Sequence, residues 1–228
     1  MTSRHLPRPD RRRVLAMAAA GAVAMPARLS ARPAGPSILA FGDSLTAGFG
    51  LPPEEGLVPV LSDWLARRGT PARLTNAGLS GETTYGGRVR INWALRGGAD
   101  AVMVELGGND MLLGWTAARA EANLDAILSK ATARGRPVLL IGISAPAGAR
   151  EWRRAWAGLW PRLARRHGTL LLPDLYAPLA AIARDDRAPL LQRDGIHPSS
   201  QGIRLIVDHL GPKVQDLVAA TRAAQAPG

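Results

Sequence analysis

Ser37-Ile38-Leu39-Ala40-Phe41 is a short apolar run that leads straight into the turn Gly42-Asp43-Ser44-Leu45-Thr46-Ala47-Gly48. A continuous apolar run closed by a glycine turn reads as a strand covered on both faces, as in a parallel sheet. Further strand-like runs follow at Arg73–Asn76, Ala101–Glu105, Val138–Ile143 and Thr169–Leu172. Ser44 comes directly after its strand, so it is expected at the carboxyl edge of the sheet, where α/β proteins place ligands.

Helical periodicity fills the gaps. Leu57, Val60, Leu61, Trp64 and Leu65 share a face, with Pro59 early enough to sit in a first turn. Ala120, Leu124, Ile127, Leu128 and Ala131 repeat the pattern behind Thr116, a candidate N-cap. Arg150 to His167 is a third candidate, in which Pro161 is expected to kink or split the helix. A fourth runs from Ser199 to about Val218, with Gly211-Pro212 expected to bend it, and Ala219 to Gly228 read as a frayed tail. Strand and helix in alternation argue for an α/β sandwich with a largely parallel sheet of about five strands.

A chain of 228 residues without internal repeats is most simply one domain. It has no cysteine, which excludes disulfides, thiolate metal sites, cysteine nucleophiles and a lipidated N-terminal cysteine. The formal charge is +11; residues 1–27 hold five arginines and one aspartate, which leaves +7 on the remainder. Nearly all the basic residues are Arg, and no nucleic-acid-binding motif accompanies them, so nucleic acid is not an expected partner.

The N-terminus reads as an export signal over residues 1–31, ahead of a folded domain over residues 32–228. Arg11-Arg12-Arg13 precedes a weakly apolar Ala/Gly-rich stretch, Val14 to Met25, too short to span a bilayer. Small residues follow, with cleavage expected after Ala24, Ala27 or Ala31. The paired arginines resemble a twin-arginine signal, although Asp10 stands where Ser or Thr is usual. The expected location is periplasmic or secreted; an uncleaved basic tail or anchor is the alternative.

The chemistry gathers at two distant points. Asp194-Gly195-Ile196-His197-Pro198 sets an aspartate three residues before a histidine. His5 lies in the leader, and His167 and His209 lie in helix-like segments, which leaves His197 as the one histidine in a turn beside a carboxylate. Asp194 can fold back to accept from Nδ1–H, leaving Nε2 to take the Ser44 proton. Asp194 taken alone also fits a turn or cap before the last helix. Two polar glycine turns lie between, Asn76-Ala77-Gly78-Leu79-Ser80-Gly81 and Glu105-Leu106-Gly107-Gly108-Asn109-Asp110. They offer oxyanion donors: the Gly81 N–H, the Asn109 side-chain amide and, from the first turn, the Ser44 N–H. No G-x-S-x-G elbow occurs, and no Asp–His pair points to Ser80 more than to Ser44.

These four segments follow the order and rough spacing of the GDSL, or SGNH, hydrolase family, which the chain resembles over roughly residues 37–218. Ser44 to Gly48, Ser80-Gly81-Glu82-Thr83-Thr84 and Glu105–Asp110 look most like its bacterial thioesterase/lysophospholipase and arylesterase branch. The resemblance implies a three-layer, flavodoxin-like α/β/α sandwich. It implies Ser44 as nucleophile, Asp194 and His197 as its partners, and Ser44, Gly81 and Asn109 as the oxyanion hole, with neither metal nor organic cofactor. The implied reaction is hydrolysis of aryl, short-chain acyl or lysophospholipid esters, or of acyl thioesters, through an acyl-serine. Acyl transfer to a sugar or other alcohol by the same triad is the alternative. Matching is weakest between Ser144 and Asp194, the stretch expected to shape the acyl pocket. Trp152, Trp156, Leu159, Trp160 and Leu163 form an apolar stripe among arginines. That stripe is read as a face packed on the sheet, with transient contact to a membrane surface as the alternative.

Overall fold

The computed structural model describes residues 35–145 and 148–226; the expected export segment lies outside them. Strands β1 (Ser37–Gly42), β2 (Arg73–Gly78), β3 (Ala101–Glu105), β4 (Val138–Ile141) and β5 (Leu170–Leu172) form one sheet in the order β2-β1-β3-β4-β5. Every neighbouring pair is parallel.

Each return to the start of the next strand uses a helix. The one-turn α1 (Ser44–Ala47) and α2 (Leu57–Arg67) follow β1, and α3 (Thr84–Ala94) follows β2. Helices α4 (Gly108–Leu112) and α5 (Ala117–Ala131) follow β3, α6 (Arg150–His167) follows β4, and α7 (Ala177–Ala180) and α8 (Ser200–Gln225) follow β5. The chain runs outward from β1 to β2, then crosses back to β3 on the other side of β1. That reversal opens a crevice beyond the carboxyl ends of β1 and β3, where sheets of this order bind ligands.

Alternation along β1 divides the core into two. Ile38 and Ala40 belong to a cluster with Leu61 and Leu65 of α2 and Ile206 and Leu210 of α8. Leu39 and Phe41 belong to another with Ile91 of α3, Leu124 of α5 and Trp156 of α6. The result is the expected three-layer sandwich. Thr116 caps α5 by accepting from the Arg119 N–H at 3.3 Å.

Two helices depart from expectation. α6 continues through Pro161 without splitting, because Trp156, Leu159, Trp160 and Leu163 on its inner face are all buried. Replacing one of those tryptophans by Ala should cost about 3–5 kcal/mol, as much as a helical proline forfeits. The same burial removes the Trp stripe as a lipid-facing surface. α8 likewise continues through Gly211-Pro212 and on to Gln225. Val218 and Thr221 are buried within the stretch expected to fray or just before it, and the Thr221 hydroxyl donates to the Leu217 carbonyl at 2.6 Å.

Candidate active site

The turn after β1 is built tightly. Asp43 is the N-cap of α1, its Oδ1 accepting from the Leu45 N–H at 3.2 Å, and Ser44 is the first helical residue. Gly42 admits no side chain: a Cβ there would lie 2.1 Å from Thr46 Oγ1 and 2.7 Å from Glu105 Oε2. The close approach of β1 to β3 thus requires the glycine.

Ser44, His197 and Asp194 meet although the serine and the histidine are far apart in sequence. Ser44 Oγ lies 2.8 Å from His197 Nε2, and His197 Nδ1 lies 2.6 Å from Asp194 Oδ2. The other carboxylate oxygen of Asp194 accepts the backbone N–H groups of Ile196 (2.9 Å) and His197 (3.0 Å). Partial burial works against ionisation of Asp194. The His197 ring and the two N–H groups outweigh it and bring the carboxyl down to about 2. The Phe49 ring leans on His197, with centroids 4.7 Å apart and planes at 42°. Gln192 ties the two loops together: its Nε2 donates to the Phe49 carbonyl at 2.8 Å, and its N–H donates to the His197 carbonyl at 2.7 Å. A shallow open depression lies here, lined by Ser44, Phe49, Leu51, Gln192, His197 and Pro198 among others.

The other described histidines are engaged elsewhere. His167 meets Asp125 at 2.9 Å and His209 meets the Asp174 carbonyl at 3.0 Å. Ser80 sits on an exposed turn. Among the described residues, no group of three or more His, Asp and Glu side chains is placed to hold a metal ion.

The expected oxyanion donors sit around the same strand ends. Gly81 has φ of +80°, a conformation that favours glycine, and the space where a Cβ would stand is open. Alanine there is disfavoured by backbone strain, since no protein atom lies where its Cβ would stand. Asn109 enters α4 directly after β3, and its Nδ2 donates to Asp43 Oδ2 at 3.2 Å and to the Glu82 carbonyl at 3.0 Å. Neighbouring Asp110 is fully buried and takes both the Thr84 N–H (2.8 Å) and hydroxyl (2.5 Å), which pins α4 to the start of α3.

The sequence over most of the described fold matches a known hydrolase family. A family model described as GDSL-like Lipase/Acylhydrolase matches residues 40–205. The chain belongs to that family. Esterase TesA of Pseudomonas aeruginosa PAO1 is 32% identical over 192 residues, covering 83% of this chain and 93% of that one. Thioesterase 1/protease 1/lysophospholipase L1 of Escherichia coli K12 is 31% identical over 185 residues, covering 80% and 85%. The crystal structure of AlinE4, an SGNH-hydrolase family esterase, superposes with a TM-score of 0.66 at 38% identity, covering 80% and 96%.

Around the Ser44 turn of this GDSL-like hydrolase lies a feature that sequence reading missed. Glu105, the last residue of β3, is 2% exposed; its Oε2 accepts from the Thr46 hydroxyl at 2.9 Å and the Asp43 N–H at 3.4 Å. Its Oε1 is buried without a partner. Burial, then the nearby Asp43 charge, lifts the Glu105 carboxyl well above the usual range. Burial also lifts Asp43, to about 6, against the Leu45 N–H bond that favours its charged form. The available signal was a carboxylate closing an otherwise apolar strand.

Proposed function

We propose that this hydrolase cleaves carboxylic esters through an acyl-serine intermediate on Ser44. The observation that carries the reading is the unbroken relay from Ser44 Oγ through the His197 ring to Asp194. His197 Nε2 takes the serine proton as Oγ attacks the carbonyl. Asp194 holds Nδ1–H and stabilises the imidazolium. The Ser44 and Gly81 N–H groups and the Asn109 amide receive the negative charge on the carbonyl oxygen. Protonated His197 then gives its proton to the departing alcohol or thiol, and water repeats the sequence on the acyl-serine.

Aryl, short-chain acyl and lysophospholipid esters and acyl thioesters are the proposed substrates; the names of the two relatives above cover esters, thioesters and lysophospholipids. Neither of those names is a transferase, so hydrolysis is preferred over acyl transfer. A panel of p-nitrophenyl esters, acyl-CoA and lysophosphatidylcholine, without added acceptor alcohol, should release free acid. No release from any of them would count against the reading.

A membrane surface is a fitting partner for an enzyme acting on lysophospholipids, and α3 is the element we assign to it. Tyr85, Val89 and Trp93, at i, i+4 and i+8, are 55%, 68% and 65% exposed, with exposed Arg88 and Arg96 beside them. No acidic residue occurs between Thr83 and Ala99. Aromatic and aliphatic side chains flanked by arginines suit the interface of an anionic bilayer. A second copy on the same face would instead bring like charges together. Among the described residues, no helix is long and apolar enough to cross a membrane. Export to the periplasm or medium follows from the leader sequence, and the mature chain should begin between Met25 and Arg32. Exported protein that still begins at Met1 would refute that cleavage.

A further inference from the structure

Asn109 Nδ2 carries two hydrogens, and both are engaged, one by Asp43 Oδ2 and one by the Glu82 carbonyl. Both partners are pure acceptors when Asp43 is ionised. Only one orientation of the amide fits them; the flipped amide would set its own oxygen against a carboxylate and a carbonyl. An oxyanion can receive an Asn109 hydrogen only if one of these acceptors releases it. Bonds to ionised groups are roughly twice as strong as neutral ones. The Asp43 bond is therefore the one to persist, and the Glu82 carbonyl the one to be exchanged.

Asp43 is itself fixed from behind. Leu45 N–H holds Oδ1, while the Asp43 N–H and the Thr46 hydroxyl converge on Glu105 Oε2. Two buried carboxyls this close do not both ionise cheaply. Burial raises both carboxyls, and Asp43 is the one whose oxygen accepts from the Asn109 amide.

We propose that Asp43, backed by Glu105, is a positioning residue for the oxyanion donor. It holds the Asn109 amide in its donor orientation and keeps one hydrogen while the other passes from the Glu82 carbonyl to the developing oxyanion. The proposal rests on the reading of Asn109 as an oxyanion donor, and it places on Asp43 a task separate from that of the Ser44–His197–Asp194 relay.

A double-mutant cycle on the whole chain tests it, with a p-nitrophenyl ester as substrate. Asn caps a helix as well as Asp does, so Asp43→Asn spares the α1 turn while removing the charge. Asn109→Ala should lower kcat by about 10²–10³. Asp43→Asn should lower kcat by about tenfold or more with KM nearly unchanged, as expected for an interaction that acts in the transition state. Added to Asn109→Ala, Asp43→Asn should change kcat by less than about threefold, because residues that act as a unit are not additive. Losses that multiply, or an undiminished kcat in Asp43→Asn, overturn the proposal while leaving Asn109 as donor. Wild-type rates in Asn109→Ala would remove both. Asp43→Ser, which also caps a helix, repeats the cycle should Asp43→Asn fail to fold.

Discussion

Asp194 holds His197 at two points: Oδ2 meets the ring Nδ1 at 2.6 Å, and Oδ1 accepts the histidine's own backbone N–H at 3.0 Å. One carboxylate thus fixes both the ring tautomer and the loop that carries the ring. Asp194→Asn removes the charge and presents an amide hydrogen where an acceptor is needed. It should lower kcat by about 10²–10⁴ in steady-state ester hydrolysis.

The same contact makes a stability prediction. The folded Asp194 carboxyl titrates at about 2, below its ordinary 3.8. A depressed carboxylate stabilises the fold above its unfolded value, and that contribution fades as pH falls through the folded one. The Tm advantage of wild type over Asp194→Ala should therefore be full above about pH 4 and shrink between about pH 4 and 2. An advantage independent of pH would show that the ionised contact contributes nothing to stability.

Glu105 should behave in the opposite sense. Its folded carboxyl titrates well above the ordinary 4.5, so the unfolded chain ionises first and folding becomes less favourable as pH rises. Glu105→Gln, which cannot ionise, should gain Tm relative to wild type as pH is raised from about 4.5. Parallel melting curves for the two proteins across that range would mean that Glu105 is not held neutral.

Much of this was legible in the sequence because parallel strands buried on both faces are short and almost wholly apolar, as at Ile38 to Phe41 and Ala101 to Val104. Neither Pro161 nor Pro212 splits its helix, for an energetic reason. A proline in a helix costs about 3 kcal/mol, whereas each large apolar side chain buried beside it returns about 1.5–3 kcal/mol. Several such side chains flank each proline. Periodicity also finds an apolar stripe without saying which side of the helix will be covered. The stripe on α6 lies inside, while α3 turns Gly87 and Ile91 to the core and leaves Val89 and Trp93 outside. Ser44, Asp194 and His197 stood out by their chemistry. Glu105 did not, because one carboxylate at a strand end looks like an ordinary boundary until the fold sets Asp43 against it.

The α3 face gives a prediction separate from catalysis. Changing Tyr85, Val89 and Trp93 together to Ser should leave hydrolysis of a soluble p-nitrophenyl ester intact and abolish sedimentation with phosphatidylglycerol vesicles. Vesicle binding equal to wild type would exclude this face. A wild type that sediments equally with phosphatidylcholine vesicles would exclude the electrostatic part.

The central claim is that His197 activates Ser44 for covalent catalysis, and the most direct measurement is mass spectrometry of the chain after reaction with a fluorophosphonate. One adduct per chain is expected, on the peptide that contains Ser44. It should be absent from Ser44→Ala, and its formation in His197→Ala should be slowed by about a hundredfold or more. An adduct on Ser80, or ester turnover undiminished in Ser44→Ala, would contradict the account.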